Sequence, residues 1–148
     1  MSRSGYDDGC EVTESEANLW QANLDRALTG KRGQQFLRRL IQALDAMPTK
    51  ELFDIYTDDD GLFDEDKLCR PCAIGAIALR EDWENPTRVD AADHESLGDR
   101  LDIAPMLVAQ VEYENDHGGP QWHSSEEPAQ RWARIRAWAV GHLREEQR

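Results

Sequence analysis

The segment Cys72-Ala-Ile-Gly-Ala-Ile-Ala-Leu79 constrains this chain more than any other stretch of it. It carries no charged side chain on any side, so no face of it tolerates water and the fold must enclose it. Ala73, Gly75, Ala76 and Ala78 are small, which points to a buried helix with close neighbours rather than a strand. The run is far shorter than the roughly 20 apolar residues a membrane span needs. In a chain of 148 residues, one such enclosed element implies one core and one domain.

Helical spacing dominates on both sides of it. Thr13-Glu-Ser-Glu16 has the pattern of a capping box, and Ala17, Trp20, Leu24, Ala27 and Leu28 follow at intervals of three and four. Gly30 is the expected C-terminal cap of that helix. Phe36, Leu37, Leu40, Ile41 and Leu44 mark a second helix ended by Pro48, and Thr49 is read as the cap of a short third one through Leu52, Phe53, Ile55 and Tyr56. Residues 57–71 read as an acidic loop with a short strand at Leu62-Phe63, and Asp82 to Val89 as a connector. Residues 93–101 and 105–115 predict two further helices. Ser124-Ser-Glu-Glu127 ahead of Pro128 predicts the start of a last one, with Trp132, Ile135, Trp138 or Ala139, and Leu143 on its stripe. Trp20, Leu24, Phe36, Leu40, Ile41, Leu44, Ile74, Ile77, Leu101, Val108, Trp132 and Ile135 are the expected core. The reading is all-α: a flexible N-terminus over residues 1–12, then a single compact domain over 13–148 of about six or seven helices.

The formal charge is −13, and it is confined to the middle of the chain. Residues 50–116 hold 6 basic and 19 acidic side chains, whereas the segments before and after nearly balance. Such a field repels nucleic acid and membrane surfaces and steers basic partners inward. Asp58, Asp59, Asp60, Asp64, Glu65, Asp66, Glu81, Asp82 and Glu84 are the candidate partner-binding residues. The basic side chains Arg131, Arg134, Arg136 and Arg144 are expected to pair within the molecule with this acidic middle.

Motifs that carry chemistry fall short of their requirements. Placing Gly61 at the sixth position of a calcium loop puts Tyr56 first and Lys67 twelfth, where carboxylates belong. Cys69-Arg-Pro-Cys72 resembles a dithiol motif, and a helix N-terminus would favour the Cys72 thiolate, but no strands surround it. A zinc site would add His117 and His123, at a looser spacing than zinc sites use. Leu97 to Val111 has helix-turn-helix spacing, yet its second helix offers no Lys or Arg to a phosphate. There is no Gly-rich phosphate loop and no nucleophile elbow. No catalytic residue, metal or cofactor is therefore expected. The odd count of 3 cysteines and the absence of an apolar leader predict a reducing, cytoplasmic setting.

Gly30-Lys-Arg-Gly33-Gln-x-Phe36-Leu37, Leu44-Asp-Ala-x-Pro48 and Cys72-Ala-Ile-Gly-Ala76 combine with Tyr113-Glu-Asn-Asp116 and Arg131-Trp132-x-x-Ile135-Arg136-x-Trp138. Together they resemble a family of uncharacterised small proteins of bacteriophages and prophages, across residues 26–143. That family has no assigned catalytic residue, cofactor or activity. What the resemblance implies is a setting, that of a phage accessory protein inside a bacterial host cell. The function expected is non-enzymatic: an acidic face that binds a host protein with a basic surface, as a nucleic-acid mimic would. The alternatives are a zinc- or thiol-dependent protein using Cys69, Cys72, His117 and His123, and a transcriptional regulator with a degenerate helix-turn-helix.

Overall fold

The computed structural model describes residues 14–53, 71–83, 94–117 and 126–144. Among these, 79% are helical and none lies in a strand, so the chain is an all-α single domain. The helices are α1 (Glu14–Thr29), α2 (Lys31–Ala46), α3 (Ala73–Arg80), α4 (His94–Leu101), α5 (Pro105–His117) and α6 (Pro128–His142). Residues 1–13, 54–70, 84–93, 118–125 and 145–148 lie outside the description, and with them the N-terminal tail, most of the acidic loop and the strand expected at Leu62-Phe63.

Helix α2 is the centre of the bundle. Phe36, Leu37, Leu40, Ala43 and Leu44 recur at helical spacing and are all buried, with α1, α3 and α6 packed around them. From Ala73 to Ala78 every residue of α3 is buried, as the apolar run requires; only Leu79, 41% exposed, emerges at the last turn. Nine of the twelve expected core residues are buried, while Trp20, Ile41 and Trp132 pack against the core's edge. Trp132 is held at that edge by its indole, which donates to the Leu44 carbonyl at 3.1 Å.

The turn between α1 and α2 is a single residue. Gly30 is extended (φ −68°, ψ 166°); its N–H donates to the Arg26 carbonyl at 2.9 Å and closes α1, while the same residue is the N-cap of α2. The chain can reverse this abruptly because Gly33 lets α2 start against the end of α1. A Cβ on Gly33 would collide with the Ala27 carbonyl and lie 2.8 Å from that of Leu28.

Two buried carboxamides join the segments. Gln34 donates through Nε2 to the carbonyls of Leu28 (2.8 Å) and His142 (3.0 Å), and its Oε1 accepts the Arg144 N–H at 2.7 Å. It ties the ends of α1 and α6 to the start of α2. Asn115 accepts the Ala73 N–H at 3.0 Å and donates to the Phe53 carbonyl at 3.0 Å, joining α5 to the start of α3 and to the 50–53 segment. Each replaces the water that orphaned helix-end groups would otherwise need.

Two expected elements are corrected. Residues 49–53 are not helical, because their amides are taken by distant partners. The Leu52 N–H donates to the Pro128 carbonyl and that of Phe53 to the Pro71 carbonyl, both at 3.0 Å. Helix α6 begins at Pro128 rather than near Ser124, with Glu127 as its cap and the Glu127 N–H donating to Gln130 Oε1 at 3.2 Å. Pro128 suits a first helical position, where no amide is needed.

Helices α3 and α4 end alike. Asp82 and Asp102 both sit at φ 58°, the left-handed region that favours glycine. After each, the next amide reaches back to the helix: Trp83 N–H to the Ala78 carbonyl and Ile103 N–H to the Gly98 carbonyl, both at 2.9 Å. This is the Schellman arrangement with aspartate where glycine is usual. Replacing Asp82 or Asp102 by Gly should relieve that strain and raise stability by about 0.5–1 kcal/mol each, read from urea denaturation midpoints. An alanine at either position should give no such gain.

Candidate functional site

Of the nine candidate partner-binding carboxylates, Asp58, Asp59, Asp60, Asp64, Glu65, Asp66 and Glu84 lie outside the described residues. Glu81 and Asp82 are exposed at the end of α3. Glu81 is engaged internally: Arg39 Nε and Nη2 donate to its two oxygens at 2.8 and 2.7 Å, which holds its carboxyl below the usual range. Arg39 also donates to the Leu101 carbonyl at 2.7 Å, so one guanidinium bridges the ends of α3 and α4. Beside it, the Arg100 guanidinium lies 4.3 Å from the centre of the Trp83 ring.

Arg32 of α2 and the three arginines of α6 also meet carboxylates of the same chain. Arg32 pairs with Asp102 at 3.3 Å and Arg136 with Asp45 at 2.7 Å, while Arg131 lies 3.3 Å from Glu126. Arg134 is bound by Glu126 at 2.7 and 2.9 Å and donates to the Glu114 carbonyl at 2.7 Å, capping the end of α5. Arg131, Arg134 and Arg136 are thus paired within the molecule, but their main carboxylates, Glu126 and Asp45, lie outside the acidic middle that was expected to pair with them; only Glu114, 3.9 Å from Arg134, belongs to it. The Arg134 hydrogen bonds, aided by the charges of Arg134 and Arg131, keep the Glu126 carboxyl below its ordinary 4.5. A carboxylate so depressed stabilises the fold fully above pH 4.5, and the contribution fades as pH falls through the folded-state value. Glu126→Gln should cost about 2 kcal/mol at pH 7. The variant should lose less than the wild type between pH 7 and pH 3, which urea titrations at the two pH values will show.

Cys72 caps α3, its Sγ accepting the Gly75 N–H at 3.4 Å. Desolvation outweighs the helix N-terminus and pushes the thiol up to about 12, so the expectation of a favoured thiolate is corrected. Cys69, His123 and the side chain of His117 lie outside the description, and among the described residues no group of three His, Cys, Asp or Glu side chains is placed to hold a metal ion. Alkylation with iodoacetamide at pH 8, mapped by mass spectrometry, should modify Cys72 at least about 100-fold more slowly than an exposed cysteine.

The α4–α5 corner is a packing element. Leu97, Gly98, Leu101 and Ile103 are buried along with Leu107, Val108 and Val111, and α5 contacts α1, α3 and α6 as well as α4. A helix enclosed by four others, with no Lys or Arg, has neither the face nor the cations to enter a groove of DNA. Among the described residues no helix is long and apolar enough to cross a membrane.

Two clefts are lined wholly by described residues. One, of about 400 Å³, lies between the end of α2 and α3, lined by Ala43, Ala46, Pro48, Ala76, Leu79 and Arg80 among others. The other, of about 440 Å³, lies between α1, α5 and α6. Trp20, Tyr113 and Trp138 give it three aromatic rings; Gln21, Gln110, Glu114 and His142 give it polar groups. Sequence reasoning missed this second cleft. Its only signal was one aromatic with a polar residue close by on each of three helices: Trp20 next to Gln21, and Gln110-Tyr113 and Trp138-His142 at spacings of three and four. No family model, characterised protein or solved structure matches the chain.

Proposed function

We propose that this is a non-enzymatic binding protein whose acidic middle segment engages a basic surface on another protein. The observation that carries the reading is a division of charge. Arg32, Arg39, Arg131, Arg134 and Arg136 are each paired with a carboxylate of the same chain. Arg131, Arg134 and Arg136 are held mainly by Glu126 and Asp45, outside residues 50–116, so among these five only Arg32 on Asp102 and Arg39 on Glu81 chiefly offset that segment's surplus of acidic over basic side chains, 19 against 6. A dense run of carboxylates can occupy a channel built for phosphates, which supports a nucleic-acid-mimicking inhibitor, and the likeness to phage proteins suggests a bacterial host as the setting. The enclosed α5 weighs against a transcriptional regulator, and the desolvated Cys72 thiol against thiol chemistry.

Nona-arginine serves as a probe of the acidic surface. Its association rate should fall at least about tenfold between 20 and 200 mM salt, since screening shortens the reach of exposed charge to about 8–10 Å. Neutralising Asp58, Asp59, Asp60, Asp64, Glu65 and Asp66 together should slow association further while leaving the urea midpoint nearly unchanged. Glu14, Asp25 and Glu127, exposed elsewhere, are the control set; Glu126 is unsuitable because it holds Arg131 and Arg134. Salt-independent association, or indifference to the six-fold change, would reduce the acidic segment to a solubilising surface.

A further inference from the structure

We propose that the cleft between the end of α2 and α3 is a binding site for a small aliphatic carboxylate, its chain lying on an apolar floor and its charged end paired with Arg80. At about 400 Å³ the cleft falls within the range of small-ligand sites. No Asp or Glu is among the described residues that line it, so it stands apart from the acidic surface above.

The shape follows from the residues. Ala43 of α2 and Ala76 of α3 are buried at its floor, 1% and 2% exposed, and side chains so short leave open the space that longer ones would fill. Met47, Pro48, Pro71 and Leu79 stand around that floor. The two prolines carry no N–H, so these walls offer little to a polar ligand and much to an apolar one. Leu79 is 41% exposed, and a hydrocarbon chain laid against it would remove apolar surface from water.

The lining has two polar side chains, Thr49 and Arg80, both exposed. Arg80 is the last residue of α3. Among the described residues its side chain makes no hydrogen bond or ion pair, unlike Arg32, Arg39 and the arginines of α6. Its neighbour Glu81 feels the Arg80 charge, but both Glu81 oxygens are taken by Arg39, which leaves the Arg80 fork for another anion. The C-terminal end of α2 would by itself favour a cation. That demand is already met, because Lys50 Nζ donates to the carbonyls of Asp45 and Met47. Apolar walls, one cation at the mouth and no lining carboxylate match a ligand with an apolar body and one anionic end. A carboxylate fits that end because it can accept two parallel N–H bonds from a guanidinium. An ammonium would meet Arg80 with no lining carboxylate to offset it.

The test uses the full chain with octanoate, octanol, octylammonium and acetate as probes, followed by NMR of methyl resonances. Octanoate should shift the Met47 and Leu79 methyls and leave that of Met106, on α5, in place. It should bind at least about fivefold more tightly than octanol or octylammonium, and acetate, which has the charge without the chain, should give no shift. A preference over the ammonium would run against the net charge of −13, which draws cations to the protein as a whole. Arg80→Met keeps the apolar stem without the charge and should reduce octanoate to the level of octanol, with the urea midpoint little changed. Ala46→Phe, at the exposed end of α2 that lines the cleft, should fill it and weaken octanoate and octanol alike. An unmoved Met47 methyl, equal binding of octanoate and octylammonium, or wild-type binding of octanoate by the Arg80→Met protein would overturn the proposal. So would undiminished binding by a folded Ala46→Phe protein.

Discussion

A single buried carboxamide, that of Gln34, closes this bundle. Its three hydrogen bonds reach the last turn of α1, the end of α6 and Arg144, two residues beyond it, all from the first turn of α2. Helix ends leave carbonyls and amides without partners, and inside a protein each of those costs on the order of 1–3 kcal/mol when left so. Because α2 starts hard against α1 at Gly33, the Leu28 carbonyl is enclosed and the Gln34 amide serves it, while the bonds to His142 and Arg144 are part-buried. Everything else in the core is packed around a helix whose position that residue sets. Asn115 repeats the solution for α3 and the 50–53 segment, so two neutral amides hold together what the loops do not.

Charge is used differently at the surface of the same bundle. The arginines of α2 and α6 act mainly as braces: Arg39 spans two helix ends, Arg134 caps a third, and Arg136 fastens α6 to the last turn of α2 through Asp45. Arginine suits this because its planar fork reaches a carboxylate and a carbonyl at once, which a lysine cannot. Arg39, Arg134 and Arg136 thus spend their hydrogen bonds on other segments of the same chain.

Much of the bundle was legible in the residues, and the reasons for the failures are physical. The helices α2, α4, α5 and α6 show apolar residues at three and four, and the burial of α3 followed from its lack of any water-tolerant face. What local pattern cannot carry is partnership over long separations. The amides of Leu52 and Phe53 look available for a helix until Pro128 and Pro71 arrive to take them. Aspartate at the left-handed ends of α3 and α4 hides a turn that glycine would have announced. The cleft between α1, α5 and α6 was the least visible feature, because its aromatic residues sit on three helices and each alone reads as ordinary core or surface. The acidic residues were obvious as a sequence, but two of the nine, Glu81 and Asp82, are positions of the scaffold itself, one braced by Arg39 and one forming a helix end.

The hydrogen bond from Phe53 to Pro71 brings together the two residues that flank positions 54–70, and Asn115 clamps the Phe53 side of that junction from α5. The scaffold thus fixes both ends of that stretch in one place. Loop closure grows only slowly more costly with length, by about 0.6 kcal/mol per doubling. The closure cost of a stretch pinned at both ends therefore changes little when residues are added or removed. Variation in its length is for that reason only weakly coupled, through chain entropy, to the stability of the bundle.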